Sequence, residues 1–339
     1  LISKDLIRAN LANCITDTSD MGIGKARKGK VRDTYDLGDR MLLITTDRQS
    51  AFDRLVAAVP FKGQVLNTVS AWWFDRTADI VPSHMISLPD PNALLARKCK
   101  VFQVEFIVRG YLTGSTNTSA WTLYAAGERN ICGNRLPDGM LKNQPFDRPI
   151  LTPTTKSDRH DSPVTPSEVV SMRLMTRGQW DEAADIALEL FRRGRETAAA
   201  HGLMLVDTKY EFGLDSEGRL TVVDELHTPD SSRYWLAESY EERFARNQEP
   251  ENIDKEFLRL WFTHNCNPYE DEKLPPAPEE LVVELASRYV QLFETITGSP
   301  FTPPGDEPAM KRLRRNLASA GLELEEDTLS FLDEPEGEL

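Results

Sequence analysis

The stretch Leu203–Glu225 constrains the fold of this 339-residue chain more than any other. Two strand-like runs, Leu203–Phe212 and Arg219–Glu225, flank Asp215-Ser-Glu-Gly218, a turn signal that predicts an antiparallel hairpin. Alternation puts Val206, Thr208, Tyr210 and Phe212 on one face of the first run and Asp207, Lys209 and Glu211 on the other. Asp, Lys and Glu are each depleted in strands, yet here they hold every second position on one side. Any register that the short turn allows brings Asp224 or Glu225 near Lys209 or Glu211. A carboxylate pair across a hairpin, with a lysine beside it, suits a hard cation bridging phosphate oxygens. The plain alternative is an exposed face laced with ion pairs; the flanking apolar runs argue instead for a buried sheet.

A second hairpin signal, Leu37-Gly-Asp-Arg40, lies between strand-like runs within Val31–Thr46. Val101–Val108 alternates, with Phe102, Val104, Phe106 and Val108 on one face of a half-buried strand. Residues 127–163, rich in Gly, Pro, Asn and Asp, read as one long functional loop. Thr165-Pro-Ser-Glu168 and the pair Thr176 and Gln179 have capping-box spacing. The second opens a helix with Ala183, Ile186, Ala187, Leu190 and Phe191 on one stripe, ended by Gly202. From Ser239 to Thr297 the pattern is helical, and beyond Phe301 a Pro-rich, acidic sequence offers little to bury. Strands precede helices in blocks and both hairpins pair antiparallel, so an α+β fold is expected rather than a doubly wound parallel sheet.

Forty Lys and Arg stand against 54 Asp and Glu, a formal charge of −14. From Gly321 to Leu339 there are eight acids (Glu323, Glu325, Glu326, Asp327, Asp333, Glu334, Glu336 and Glu338) and no Lys or Arg. The tail thus carries −8 of the −14 and the body about −6. An overall basic footprint for nucleic acid is missing, and an anionic membrane surface would repel the chain. The four cysteines are widely separated and form no C-x-x-C pair, which argues against a zinc site and a disulfide framework and suits a reducing compartment. No apolar run approaches the ~20 residues that span a bilayer, and the first residues lack a secretory pattern. The expected location is cytoplasmic, or an organelle stroma or matrix if a targeting segment has been removed.

Gly24-Lys-Ala-Arg-Lys-Gly-Lys30-Val31 nearly spells a Walker A loop. Val31 stands where a hydroxyl must meet Mg²⁺, a hairpin follows rather than a helix, and no apolar strand precedes, so that reading fails. Five cations (Lys25, Arg27, Lys28, Lys30 and Arg32) still crowd eight residues. They are either a solvated basic turn or a loop over phosphates, with Lys30 reaching the charge and Gly29 letting backbone approach. Arg109-Gly-Tyr-Leu-Thr-Gly-Ser115 sets a cation, two glycines and a hydroxyl at a strand exit. Thr228-Pro-Asp-Ser-Ser-Arg233 reads as a helix N-cap whose free N–H groups, with Arg233, receive an anion. Three such sites beside an acidic pair point to two phosphorylated ligands, one of them a nucleotide. His84, His201, His227 and His264 read as packing or surface residues, and His160 sits in a polar-dense part of the long loop.

Gly29–Asp33, Asp47-Arg-Gln-Ser-Ala-Phe-Asp53, Phe61–Asn67, Arg109–Ser115, Leu205–Gly213 and Asp224–Trp235 together closely resemble the SAICAR synthetase family of purine biosynthesis. The resemblance runs from about residue 5 to 300 and is stronger to the longer bacterial, fungal and plant-like form. It implies an ATP-grasp-like, kinase-related architecture with the nucleotide site between two lobes. The lobes fall at 1–112 and 113–300, followed by an acidic tail at 301–339. The implied reaction uses ATP to join L-aspartate to CAIR, a carboxylated aminoimidazole ribonucleotide, giving SAICAR, ADP and phosphate, with an acyl phosphate between. By motif match Gly29, Lys30 and Lys98 belong to the ATP site, and Glu211 and Asp224 to Mg²⁺ on ATP. Arg109, Ser115, Asp230 and Arg233 belong to CAIR, Asp207 and Lys209 lie near its reacting carboxylate, and Lys156 and Asp161 match an active-site loop. Val56-Ala-Ala-Val59 lacks an acid found near there in some members, so no metal ligand is expected in it. The expected partners are small molecules, with a monomer or small homo-oligomer. A small-molecule kinase and a catalytically silent nucleotide-binding module are the rival readings; the silent module predicts loss of one metal-type carboxylate, and both are present.

Overall fold

The computed structural model describes residues 2–52, 54–116, 118–156, 162–253, 256–305 and 307–324. One compact unit draws its described residues from Leu1–Trp72, Met85–Lys98 and Asp254–Leu339; the other is formed by Trp73–His84 and Cys99–Ile253.

In the first unit, after α1 (Lys4–Ala9), come β1 (Arg27–Lys28), β2 (Arg32–Asp36), β3 (Arg40–Thr45), β4 (Arg48–Ala51), β5 (Arg54–Ala58), β6 (Met85–Asp90) and β7 (Ala93–Arg97). The chain order is interrupted by α2 (Lys62–Arg76), within which the unit boundary falls. The main sheet runs β1-β2-β3-β7-β6, all antiparallel, with the expected β2–β3 hairpin closed by Leu37 N–H on the Arg40 carbonyl at 2.9 Å. Strands β4 and β5 pair separately.

Three helices, α7 (Glu256–Asn265), α8 (Glu279–Thr297) and α9 (Ala309–Ser319), return to this unit. Helix α8 buries Val283, Leu285, Ala286, Tyr289, Val290, Leu292 and Ile296. Its Glu280 and Glu284 meet Arg8 and Lys4 of the N-terminal segment at 2.9 and 2.8 Å.

Helix α9 corrects the expectation of little to bury beyond 301. Its Ala309, Leu313 and Leu317 lie at i, i+4 and i+8 and pack with Tyr35, Leu42 and Ile44. Arg312, nearly buried, meets Asp90 at 3.1 Å and Asn92 at 2.6 Å. The division at 112 and 300 is corrected too. Strand Lys100–Tyr111 belongs to the second unit's sheet, and the chain rejoins the first unit after residue 253. The acids from Glu325 to Glu338 lie outside the described residues.

The second unit holds β8 (Lys100–Tyr111), α3 (Ala120–Ala125), β9 (Asn130–Ile131), β10 (Asn134–Arg135), β11 (Pro145–Leu151), β12 (Thr154–Thr155), α4 (Pro166–Ser171) and α5 (Arg177–Ala200). It continues with β13 (Leu203–Leu214), β14 (Leu220–Val223), β15 (Ser232–Leu236) and α6 (Ala237–Ala245). Its main sheet runs β11-β8-β13-β14, with β12 on β8 and β15 on β13. Both capping boxes form, Thr165 with Glu168 and Thr176 with Gln179. Helix α5 covers one sheet face, where Phe106 stacks on Trp180 at 4.9 Å and Val104, Val108, Tyr210 and Phe212 are buried. A bulge between Leu205 and Asp207 turns Val206 off the face expected for it, to pack with Tyr111, Trp235 and Tyr240. Packing that face leaves the opposite one to carry the polar residues.

Two expectations change here. Residues 127–163 are not one loop, since β11 and β12 pair with β8; prolines at 145 and 149 around charged Asp147 and Arg148 hide the strand pattern. Thr228–Arg233 opens no helix. Thr228 Oγ1 does accept the N–H groups of Asp230 and Ser231 as a cap would, but Arg233-Tyr-Trp-Leu236 is β-forming and pairs with β13.

Candidate active site

Strand register builds the polar face. Asp207 of β13 stands opposite Arg109 of β8 on one side and Arg233 of β15 on the other. Its Oδ2 accepts from Arg233 at 2.5 Å and from Arg109 at 3.4 Å, while Arg109 Nε donates to Thr152 Oγ1 at 2.8 Å. Arg109 is held below the usual arginine pKa by burial and by nearby Arg233, with Asp207 opposing. One carboxylate between two guanidiniums leaves a net positive row, suited to a phosphate or carboxylate. The Arg109–Ser115 turn passes close to Arg233 through Gly114 (φ 110°), where an added Cβ would lie 2.4 Å from the Ser119 side chain and 3.4 Å from the Arg233 guanidinium. Ser115 ends this turn exposed, and Asp230 sits half-buried in the turn before β15.

Two residues further along β13, the Lys209 ammonium gathers three carboxylates. Glu105 lies at 3.3 Å and Asp224 at 3.4 Å, with Glu211 closer; Lys156 also pairs with Glu211. Burial alone would lower the Lys209 pKa, but Glu211, Asp224 and Glu105 together raise it well above the lysine range. Lys209 is therefore a fixed cation that can neutralise charge but not accept a proton.

The hairpin places Glu211 opposite Val223, so Asp224 arrives beside Lys209 as expected. Asp224 adopts φ 69°, a left-handed conformation that Asp tolerates. The loop it begins is anchored by His227, which shares a 2.5 Å hydrogen bond with the Tyr210 hydroxyl and accepts from Tyr234 on its carbonyl at 2.7 Å. Burial pushes the His227 pKa down to about 3, so the ring stays neutral, a packing residue as expected.

Glu105 was not among the sequence candidates. Its signal was available: it shares the off-core face of β8 with Arg109, four residues away.

In the first unit, Lys28, Gly29, Lys30, Ser50, Arg54 and Leu55 line a cleft of about 390 Å³. The Gly29 N–H donates to the Arg32 carbonyl at 2.8 Å, and an added Cβ at Gly29 would lie 2.5 Å from that same oxygen. Only glycine fits this close backbone approach. Strand β1 lies within this segment, and the segment leads into β2, which pairs with β1 and β3, rather than into a helix, as the rejection of a Walker A loop requires. Lys98 is not brought to this loop. Its ammonium meets Asp36 at 2.6 Å, beside the β2–β3 turn, whereas Gly29 and Lys30 precede the other end of β2. Asp161 and His160 lie outside the described residues.

Among the described residues no group of three or more His, Cys, Asp or Glu forms a ready-made metal cage. Glu211 and Asp224 nevertheless fit Mg²⁺. They are hard oxygen donors converging on one cationic point, and Mg²⁺ commonly takes one or two carboxylates and completes its shell with phosphate and water.

An α+β protein with a cationic glycine loop over a cleft, and with paired guanidiniums beside clustered carboxylates on a sheet face, is an enzyme built for phosphorylated small molecules. Residues 25–276 match the family model described as SAICAR synthetase. A Legionella pneumophila (strain Paris) protein named phosphoribosylaminoimidazole-succinocarboxamide synthase is 59% identical over 307 residues, covering 90% of this chain and 97% of its own length. A chloroplastic protein of the same name from Arabidopsis thaliana is 57% identical over 319 residues, 93% of this chain and 78% of its own. Among solved structures, the Saccharomyces cerevisiae SAICAR synthase complexed with SAICAR superposes with a TM-score of 0.73 at 31% identity, covering 85% of this chain and 99% of that one. The chain belongs to the SAICAR synthetase family and is an ATP-dependent ligase.

Proposed function

We propose that the chain joins L-aspartate to CAIR, 5-amino-1-(5-phosphoribosyl)imidazole-4-carboxylate, at the expense of ATP, and that the polar face of β13 carries the reaction. The observation that carries this reading is the in-register order Arg109–Asp207–Arg233 followed by the fixed cation Lys209 among Glu105, Glu211 and Asp224. It offers an anion seat next to a charge-neutralising lysine and a pair of metal-type acids.

The chemistry needs these parts. A carboxylate does not acylate an amine, because its leaving group would be oxide. Attack of a CAIR carboxylate oxygen on the γ-phosphorus forms an acyl phosphate and releases ADP. The aspartate amine then attacks the carbonyl carbon, the bond to phosphate oxygen breaks, and the amine loses a proton as the amide forms.

Arg109, Arg233, Ser115 and Asp230 hold CAIR, with Asp207 keeping both guanidiniums in line. Lys209 faces the reacting carboxylate, and Gly29 and Lys30 take ATP phosphate oxygens. Glu211 and Asp224 would hold Mg²⁺, with Lys156 beside them; the ion, when bound, neutralises phosphate charge as the phosphoryl group moves. Positioning and electrostatics supply most of the rate.

ADP release with CAIR, measured with and without L-aspartate while following the product's ultraviolet absorbance, tests the reaction. Aspartate-dependent amide formation is expected; ADP release without aspartate and without a new amide would mean a kinase. Glu211→Gln and Asp224→Asn should each lower kcat by about 100-fold or more and raise the Mg²⁺ requirement, with far-ultraviolet dichroism unchanged. Near-normal turnover in both would remove the metal assignment.

A further inference from the structure

We propose that Arg48, on β4, is the positioning residue that shapes the Gly29–Lys30 loop for the nucleotide's phosphates; this rests on the reading of that loop as part of the ATP site. Arg48 and Asp33 are both buried. The guanidinium uses all five of its N–H donors. Nε donates to the Lys30 carbonyl at 3.3 Å. One terminal nitrogen donates to the Thr16 carbonyl at 2.9 Å and to Asp33 Oδ2 at 3.1 Å. The other donates to the Gly29 carbonyl at 2.9 Å and to Asp33 Oδ1 at 2.5 Å. Asp33 is held in turn by the Thr18 hydroxyl at 2.8 Å.

The next carbonyl is fixed from the same segment. Thr46 donates its N–H to the Val31 carbonyl at 2.9 Å and its hydroxyl at 2.5 Å. Three successive carbonyls, at 29, 30 and 31, are therefore held by Thr46 and Arg48. In a planar trans peptide the N–H points opposite to its C=O, so holding the Gly29 and Lys30 carbonyls aims the Lys30 and Val31 N–H groups away from Arg48. Successive N–H groups turned to one side are the geometry that cradles an oxyanion. The loop presents Gly29 and Lys30 to the cleft of about 390 Å³, alongside Lys28 and Arg54. Arg48 does not line that cleft; its effect on nucleotide passes through the loop backbone. Lysine could not replace it, because an ammonium has three donors and no planar fork to span the Asp33 carboxylate and separate carbonyls at once.

Steady-state kinetics on the full chain, with ATP binding by calorimetry and thermal melting alongside, test this. Arg48→Lys should raise KM for ATP about tenfold or more, the loss of roughly one to two hydrogen bonds, and leave KM for CAIR and for L-aspartate within about twofold. The double variant Asp33→Leu/Arg48→Met removes both buried charges together and decides by the same criteria if Arg48→Lys does not fold. Lys30→Ala is the control for the loop itself. If Lys30→Ala raises KM for ATP and the Arg48 variants do not, the positioning role is wrong while the loop assignment stands. If neither moves it, the loop assignment fails and the inference with it. A parallel rise in all three KM values would make Arg48 a support of the whole unit and overturn the proposal.

Discussion

Asp47 illustrates how much a single buried group controls. Its carboxylate accepts the Ile15 and Gly63 N–H groups at 2.7 and 2.8 Å, and burial outweighs these bonds and the nearby Lys62 and Arg312, pushing its pKa up to about 6. The unfolded value is about 3.9, so the folded state holds the proton more tightly. Asp47's contribution to stability is then complete below pH ~4 and is lost as pH rises through ~6, by about 3 kcal/mol. Urea unfolding of the wild type and Asp47→Asn between pH 4.5 and 7 should show the difference moving in favour of the variant as pH rises. A difference constant across that range would exclude the shift. Residue-scale features of this kind were only partly legible. Asp207, Lys209 and Glu211 stood out because charge at alternate strand positions is unusual. Glu105 did not, because a single acid in an alternating strand is ordinary until the register sets it against Lys209.

Elements were legible where their rules are local. The two hairpins, the alternation of β8 and both capping boxes follow from neighbouring residues, and all form. Strand β15 depended on a distant partner, so its leading Thr-Pro read as a helix start. Helix α9 was hidden by prolines before it and by Lys311, Arg312, Arg314 and Arg315 among its apolar positions. Arg312 is charged yet faces inward, because Asp90 and Asn92 receive it. Leu313, fully buried against the β2–β3 hairpin, should make this helix necessary rather than decorative. Leu313→Ala is expected to cost roughly 2–5 kcal/mol, read as a lower unfolding midpoint in urea. An unchanged midpoint would mean that α9 contributes no core.

At the scale of the molecule, the net charge of −14 misdescribes the surfaces that matter. Cations are concentrated at Lys28–Arg32, Arg109 and Arg233, and the carboxylates of Glu105, Glu211 and Asp224 are gathered around one ammonium. The linear order of the chain misdescribes its organisation in the same way. The family match ends at residue 276, yet α8 and α9 lie beyond it and belong to the same unit as the Gly29–Lys30 loop. A chain ending at residue 276 would lose Val283, Leu285, Ala286, Tyr289, Val290, Leu292 and Ile296 of α8 as well as Leu313 and Leu317 of α9, all buried. Each large apolar side chain contributes roughly 1.5–3 kcal/mol on burial, so the loss exceeds the 5–15 kcal/mol that holds a typical domain folded. Truncation at 276 should therefore yield a chain without the cooperative melting transition of the first unit and without aspartate-dependent ADP release, although every proposed site residue remains in it. A truncated chain that melts and turns over like the full one would show that the family-matched region folds by itself and that the C-terminal helices are additions to a finished core.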